Sequence, residues 1–242
     1  MFDRTPPGPL IPPYGWEEGF RLDLYRNLIH EDRWLMIVGG VVPALLITLA
    51  GILLGLVIGF VIALMRISRY KILRALGTIY ITIIRGIPLL IQIMIWGFVI
   101  FVNDDTVPRL FVAFVAFGIN SSAYVAEILR AGILSVDRGQ TEAGRSLGLN
   151  SFKNMHLIVM PQAIKNSLPS LVNEFITLFK DTSLIGVIAV VDITRAVDLI
   201  RSRTFTPFLP LMAAALVYLT IVTVLTWVLS IVERRLRKSD TR

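Results

Sequence analysis

Two stretches of the 242-residue chain, residues 35–65 and 204–232, contain no Asp, Glu, Lys or Arg. Each exceeds the ~20 residues that an α-helix needs to cross a ~30 Å hydrocarbon core. Runs of this kind are foreign to a water-soluble domain, in which about a quarter of residues are charged. Here 17% are charged and 55% are hydrophobic, so the chain is expected to be solvated by lipid. The apolar content also excludes intrinsic disorder. The absence of cysteine removes disulfide scaffolds, thiolate metal sites and thiol catalysis.

Between the two secure spans lie three weaker ones. Residues 75–102 are broken only by Arg85, 110–126 end at Glu127, and 168–191 contain Glu174, Lys180 and Asp181. The expected fold class is an all-α integral membrane protein of about five transmembrane helices, with its termini on opposite sides. Orientation follows from the basic residues. Arg66, Arg69, Lys71 and Arg74 fill the first loop, Arg138, Arg145, Lys153 and Lys165 lie in the third, and Arg234, Arg235, Arg237, Lys238 and Arg242 form the tail. These thirteen of the 24 Lys and Arg all fall on one side, which the positive-inside rule makes the cytoplasm. The N-terminus is then outside and the C-terminus cytoplasmic. Arg195, Arg201 and Arg203 on the expected outer loop run against the trend without overturning it. Once the basic side carries +9 and the remainder −2, the net charge of +7 needs no nucleic acid to explain it.

The expected organisation is an extracytoplasmic arm (1–34), a transmembrane domain (35–238) with a cytoplasmic loop at 137–165, and a short tail (239–242). The arm opens on Pro6, Pro7, Pro9, Pro12 and Pro13 and lacks the basic start and apolar core of a cleavable signal peptide. After it, Leu22, Tyr25, Leu28 and Ile29 recur at helical spacing. They suit either an amphipathic helix on the outer surface or an ordinary polar leader.

Several features inside the spans suggest a polar interior. Gly51, Gly55 and Gly59 share one helix face and favour close helix packing. Arg85, Gly86, Ile87 and Pro88 combine a cation with a helix breaker, predicting a kink beside a polar cavity, although an Arg near a helix end also snorkels to the interface. Asn120, Tyr124 and Glu127 line one face of the third span, towards a pore, a partner helix or a solute. In the fourth, Lys180 at membrane depth would cost roughly 2.5–3.5 kcal/mol if it faced lipid, so Asn173, Lys180 and Asp181 are expected to face protein. Thr48, Arg85, Gln92, Asn120, Tyr124, Glu127, Asn173, Lys180 and Asp181 form the candidate substrate pathway.

The loop at 137–165 is amphipathic rather than loose. Gly139, Gly144, Arg145 and Ser146 imitate a phosphate-binding loop, but Arg145 stands where that loop needs Lys, and no strand precedes it. In the same loop Glu142, Ala143 and Gly144 are followed by Gly148, and then by Ile158, Met160 and Pro161. This resembles the EAA motif of ABC importer permeases, with Gly144 in place of the second Ala and Met160 in place of Leu. Arg85 to Gln92, Tyr124 to Arg130, Gly139 to Glu142 and Phe179 to Leu184 resemble recurring phrases of the polar amino-acid uptake branch, the histidine, glutamine, arginine and opine permeases. The resemblance covers about residues 40 to 238.

The resemblance implies a MetI-like permease subunit of a binding-protein-dependent importer for a polar or charged amino acid. Its implied partners are a dimer of ABC ATPase subunits that holds the ATP and Mg, a second permease subunit as homodimer or heterodimer, an extracytoplasmic amino-acid-binding protein and the bilayer. The EAA loop would form short coupling helices joined at Gly148. ATPase coupling would fall to Glu142, Ala143, Gly144, Leu147, Gly148, Leu149, Ile158 and Pro161, with Glu142 pairing to a basic group of the ATPase. No catalytic residue, metal site or cofactor is expected in this chain. Two other classes remain to be compared with the residues. An intramembrane enzyme lacks support because His30 and His156 fall on opposite sides and no triad, paired-carboxylate or metal-ligand spacing occurs. A channel or export component would conduct without ATP.

Overall fold

In a computed structural model the described residues are 15–102 and 106–237, and among them there is no strand. The proline-rich stretch 6–13, the Asn103, Asp104 and Asp105 segment and the tail 239–242 lie outside them. The chain begins with α1 (Trp16–Leu24) and α2 (Arg33–Gly39), followed by the long α3 (Val41–Ile67). α4 (Lys71–Gly86) and α5 (Leu89–Ile95) come next, then α6 (Arg109–Leu134). A short α7 (Arg138–Ser146) and α8 (Ser151–Asn154) lead into α9 (Met160–Asp181), α10 (Ile193–Thr204) and α11 (Phe208–Arg237).

α3 and α6 form the centre, and the glycine stripe fixes how they meet. A Cβ on Gly51 would stand 3.0 Å from the Phe117 Cβ, and one on Gly55 would stand 2.9 Å from the Ser121 hydroxyl. At Gly59 it would stand 2.7 Å from the Ser122 carbonyl oxygen. The pairing advances in the same direction along both chains, so α3 and α6 run parallel. On the opposite face of α3, Val42, Leu46, Leu49, Leu53, Val57 and Leu64 are exposed, a continuous apolar stripe suited to lipid and out of place in water. α9 runs antiparallel to α6, with Ser167 against Gly132 at one end and Glu174 reaching Ser121 further along. The main apolar core lies where α3, α5, α6 and α9 converge, around Ile47, Ile93, Phe117 and Leu178.

The Gly59 crossing gives a first prediction. Gly59→Leu has backbone in its way, and overpacking of this kind destabilises by about 1–3 kcal/mol or more. The monodisperse fraction in size-exclusion chromatography of the detergent-extracted protein is expected to fall several-fold. Gly39→Ala, where nothing lies within 4 Å of the added Cβ, should leave it unchanged.

Two of the expected spans differ from the sequence expectation in detail. By length and apolarity, α6, α11 and the helical run that ends in α3 can each cross a membrane. The expected span 75–102 is a broken pair: α4 and the helix from Leu89 to Ile100 meet at 98°. Pro88 has no N–H to continue α4, and the residue before it is driven to extended backbone, as Ile87 is at φ −102, ψ 126. The expected span 168–191 is not one helix either. α9 begins inside the expected loop and ends at Asp181, where the Thr182 hydroxyl donates to the Phe179 carbonyl at 2.7 Å and tighter 3₁₀ winding runs to Ile188.

Residues 16–24 form α1, and a wide turn at 25–29 follows it. Phe20, Leu22, Tyr25 and Ile29 are exposed, while buried Asn27 accepts a hydrogen bond from the Thr206 hydroxyl at 2.8 Å. At this same end Asp192 caps α10, accepting from the backbone N–H of Thr194 and Arg195 at 3.0 and 2.9 Å. Burial raises the Asp192 carboxyl above the usual range, and those hydrogen bonds oppose the shift. The first basic loop and residues 135–165 gather at the other end, since Arg66 reaches Glu127 on α6 and Asn166 reaches Ser135.

Candidate functional site

The break between α4 and α5 exposes backbone carbonyls inside a largely apolar bundle, where an unsatisfied polar group costs several kcal/mol. Gln92 answers this: its Nε2 donates to the carbonyls of Ile84 and Ile87, both at 2.8 Å. The amide is buried and its donors are committed to the bend. Thr48 is buried as well, its hydroxyl donating to the Ala44 carbonyl at 2.8 Å within α3. Neither lines a cavity described below.

The bend frees the end of α4 to carry Arg85 towards α6, where its guanidinium lies 4.9 Å from the centre of the Tyr124 ring. Cation–π contact of this kind orients an arginine while leaving its N–H groups available. Two cavities meet at this pair. One, of about 290 Å³, is lined by Arg85, Pro88, Asn120, Tyr124, Glu174, Thr177 and Asp181 among others. The other, of about 450 Å³, runs towards the basic end along Glu127, Gly132, Ser135, Asn166, Ser167 and Ser170.

Within the smaller cavity the acids differ in their engagement. Glu174 accepts a hydrogen bond from the Ser121 hydroxyl at 3.1 Å. The Asp181 carboxylate makes no hydrogen bond among the described residues and shares the cavity wall with Arg85. The lining therefore presents one cation, two carboxylates, an amide, a hydroxyl and a phenol. Asn120, Tyr124, Arg85 and Asp181 were expected from the sequence. Glu174 and Thr177 were not assigned to the pathway, although 174, 177 and 181 follow the i, i+3, i+7 spacing of one helix face.

Glu127 sits differently. Its Oε1 accepts from Arg66 Nη2 at 3.3 Å and its Oε2 from Arg130 Nη2 at 2.8 Å, while Arg66 Nη1 also donates to the Thr78 hydroxyl at 2.6 Å. The carboxylate thus ties α3, α4 and α6 together at the edge of the larger cavity. Removing it leaves two guanidiniums facing each other, and hydrogen bonds to charged groups contribute about 1.5–3 kcal/mol each. Glu127→Ala is expected to lower the thermal unfolding midpoint by several degrees in detergent, and Arg130→Gln by less because Arg66 still holds the carboxylate.

α9 carries an exposed polar stripe: Asn166, Ser170, Asn173, Thr177 and Lys180 follow one another at three- or four-residue steps. Asn173 and Lys180 lie on this stripe and do not line either cavity. Exposed polar residues at this depth require water or another protein surface.

The loop after α6 forms a compact lever. Asp137 caps α7, accepting from the Gly139 N–H at 2.7 Å. At the far end the Gly148 N–H bonds to the Arg145 carbonyl at 2.9 Å and the Leu149 N–H to the Gly144 carbonyl at 3.1 Å. This is a Schellman closure, and Gly148 sits in the left-handed region at φ +82. Asn150 then caps α8, accepting from the Lys153 N–H at 2.8 Å. Buried Asn154 donates to the Thr141 carbonyl at 2.7 Å and clamps α8 to α7. Gly144, a departure from the EAA pattern, has its reason here: a Cβ would stand 2.7 Å from the Ile158 Cδ1 and 2.5 Å from the Asn154 Oδ1. The second arm of the lever is the head of a helix continuing into α9, with a wide turn at residues 155–159 just before Pro161, which has no N–H to donate. Glu142 and Ala143 are exposed, Leu149 is half-buried, and Leu147 and Phe152 are the most exposed apolar groups of the loop, at 81% and 78%. Leu147 was expected on the contact surface; Phe152 was not assigned to it, and its apolar side chain on a polar loop was the available signal.

Among the described residues no cluster of His, Asp and Glu could hold a metal ion. Residues 51–238 match the family described as binding-protein-dependent transport system inner membrane component. A putative glutamine transport system permease protein of Rickettsia typhi is 35% identical over 206 residues, covering 84% of this chain and 93% of that one. The arginine transport system permease protein of Bacillus subtilis is 36% identical, with 84% and 94% covered. A chain from the crystal structure of an amino acid ABC transporter with histidines superposes with a TM-score of 0.79 at 39% identity, covering 86% of this chain and 98% of that one.

Proposed function

Because the chain belongs to the family of binding-protein-dependent transport system inner membrane components, we infer that it is the permease subunit of an ABC importer that moves a polar or charged amino acid across the inner membrane. The observation that carries this reading is the company of Arg85 with Glu174 and Asp181 on one cavity. A free amino acid carries both a carboxylate and an ammonium. Arg85, held by Tyr124, suits the first, and the two acids suit the second, with Asn120 and Thr177 offering hydrogen bonds. The cavity volume of about 290 Å³ lies at the lower edge of the ~300–1,000 Å³ typical of small-molecule sites. Relatives named for glutamine, arginine and cystine support the substrate class.

The remaining parts follow from the same residues. The α9 stripe is covered by a second permease subunit, so the pathway is closed between two chains and Lys180 never meets lipid. The basic end faces the cytoplasm. There α7 and the Gly148 turn dock on an ABC ATPase dimer that holds ATP and Mg, with Leu147 and Phe152 as apolar contact and Glu142 as the charged one. An extracytoplasmic binding protein delivers the substrate at the opposite end.

The reading is tested by thermal unfolding of the purified complex with a panel of amino acids, each paired with its amine lacking the carboxylate. A ligand at a hundredfold its Kd stabilises by about 2.7 kcal/mol, which raises the midpoint by a few degrees. Stabilisation by the zwitterion alone is expected. Equal shifts with the decarboxylated amine, or none with any amino acid, would overturn the zwitterion site.

A further inference from the structure

A third cavity, of about 400 Å³, lies beneath the lever, between the end of α6 and the α7–α8 pair. Its polar wall is formed by Arg138, Thr141, Arg145, Ser151 and Asn154. Arg138, Thr141 and Arg145 fall at i, i+3, i+7 and so share one face of α7. Neither guanidinium makes an ion pair or hydrogen bond among the described residues, and the neighbouring acids Asp137 and Glu142 are not paired with them. The remaining wall is apolar, with Ile133, Leu134 and Val159 at the depth where the α6 span ends.

At Ile133 this cavity adjoins a much larger apolar groove of about 700 Å³ between α3 and α9, lined among others by Val57, Phe60 and Ile164. Those three side chains are exposed; Val57 and Phe60 belong to the α3 run that can cross a membrane, and Ile164 stands near the head of α9. Two unpaired cations at the membrane boundary, beside an apolar slot inside it, match the two halves of one molecule.

We propose that the cavity under α7 and the adjoining α3–α9 groove bind one anionic phospholipid of the adjacent leaflet, its phosphate held by Arg138 and Arg145 and an acyl chain lying in the groove. Basic pockets between spans at the membrane surface favour anionic headgroups by charge, and bidentate guanidinium–phosphate pairing supplies the geometry. The lipid sits between the lever and the bundle, so it braces α7 against α6 and stiffens the joint at Gly148.

Native mass spectrometry of the full chain in mild detergent, titrated with phosphatidylglycerol or phosphatidylcholine, tests this independently of transport. Wild-type protein is expected to retain phosphatidylglycerol at least about fivefold over phosphatidylcholine, and the preference should vanish as salt rises because it is electrostatic. The Arg138→Gln, Arg145→Gln double variant should fall to the phosphatidylcholine level, and Val57→Trp, which fills the groove, should weaken retention of both lipids. An Arg69→Gln, Lys71→Gln control at the same end should change nothing. Equal retention of the two lipids by wild-type protein, or no loss in the double variant, would overturn the proposal. So would displacement of phosphatidylglycerol by millimolar inorganic phosphate, which would point to a soluble phosphate site.

Discussion

Gly148→Val is expected to abolish substrate-stimulated ATP hydrolysis by the assembled transporter while leaving the chain inserted in the membrane and able to bind its partner permease. Position 148 sits at φ +82, where a side chain with a Cβ costs roughly 1–2 kcal/mol and a β-branched one more. Nothing lies within 4 Å of an added Cβ there, so the penalty is conformational and local to the turn. The Schellman closure opens, α7 loses its fixed angle to α8, and a displacement at the ATPase is no longer carried into α9. Gly148→Asn separates this from bulk, since Asn tolerates the left-handed region, and it should keep a large share of the activity. Charge reversal at Glu142 should produce the same uncoupling without disturbing the turn. Stimulated ATPase rates of purified wild-type and variant complexes check all three. Normal stimulation in Gly148→Val would remove the lever from the account.

The second large effect is expected at the acids of the smaller cavity. Asp181→Asn removes a carboxylate that makes no hydrogen bond within the described residues, so the fold should tolerate the change, while on the proposed reading the substrate ammonium loses a partner. The loss of one charge-assisted hydrogen bond, about 1.5–3 kcal/mol, corresponds to roughly ten- to a hundredfold weaker apparent affinity in uptake. Glu174→Gln should weaken affinity less, because Ser121 still holds the side chain and Asp181 remains. Arg85→Lys keeps the charge but loses the planar fork, and is expected to weaken uptake as much as Asp181→Asn. Unchanged apparent affinity in both acid variants would move the ammonium site elsewhere.

Much of this was legible in the sequence because lipid imposes simple rules. The charge-free runs marked α3 and α11, and the Gly51, Gly55 and Gly59 spacing marked the face where α6 crosses, while the turn at Gly148 was implied by the resemblance of its loop to the EAA motif. What stayed hidden depends on contacts between distant residues. Gln92 reads as a polar group available to solute, and only the sharp bend at Pro88 turns its amide onto the carbonyls of Ile84 and Ile87. Glu127 lines the larger cavity, but its pairing with Arg66, 61 positions away in sequence, could not be read from spacing. Thr48 is polar, yet its hydroxyl is satisfied one turn back in its own helix. The break of α9 at Asp181 was obscured because the residues after it are apolar, and periodicity does not distinguish a 3₁₀ run from a continued helix. Glu174 stayed hidden because Lys180 and Asp181, next to each other in sequence, leave the helix on different faces, and only the fold brings 174, 177 and 181 to one cavity wall.

The most direct test of the account is uptake of labelled amino acid into proteoliposomes that contain this chain, its partner permease, the ATPase dimer and the binding protein. Accumulation is expected only when ATP and the binding protein are both present, and it should fall to background in Gly148→Val. Flux at the same rate without ATP would contradict the account and identify a channel.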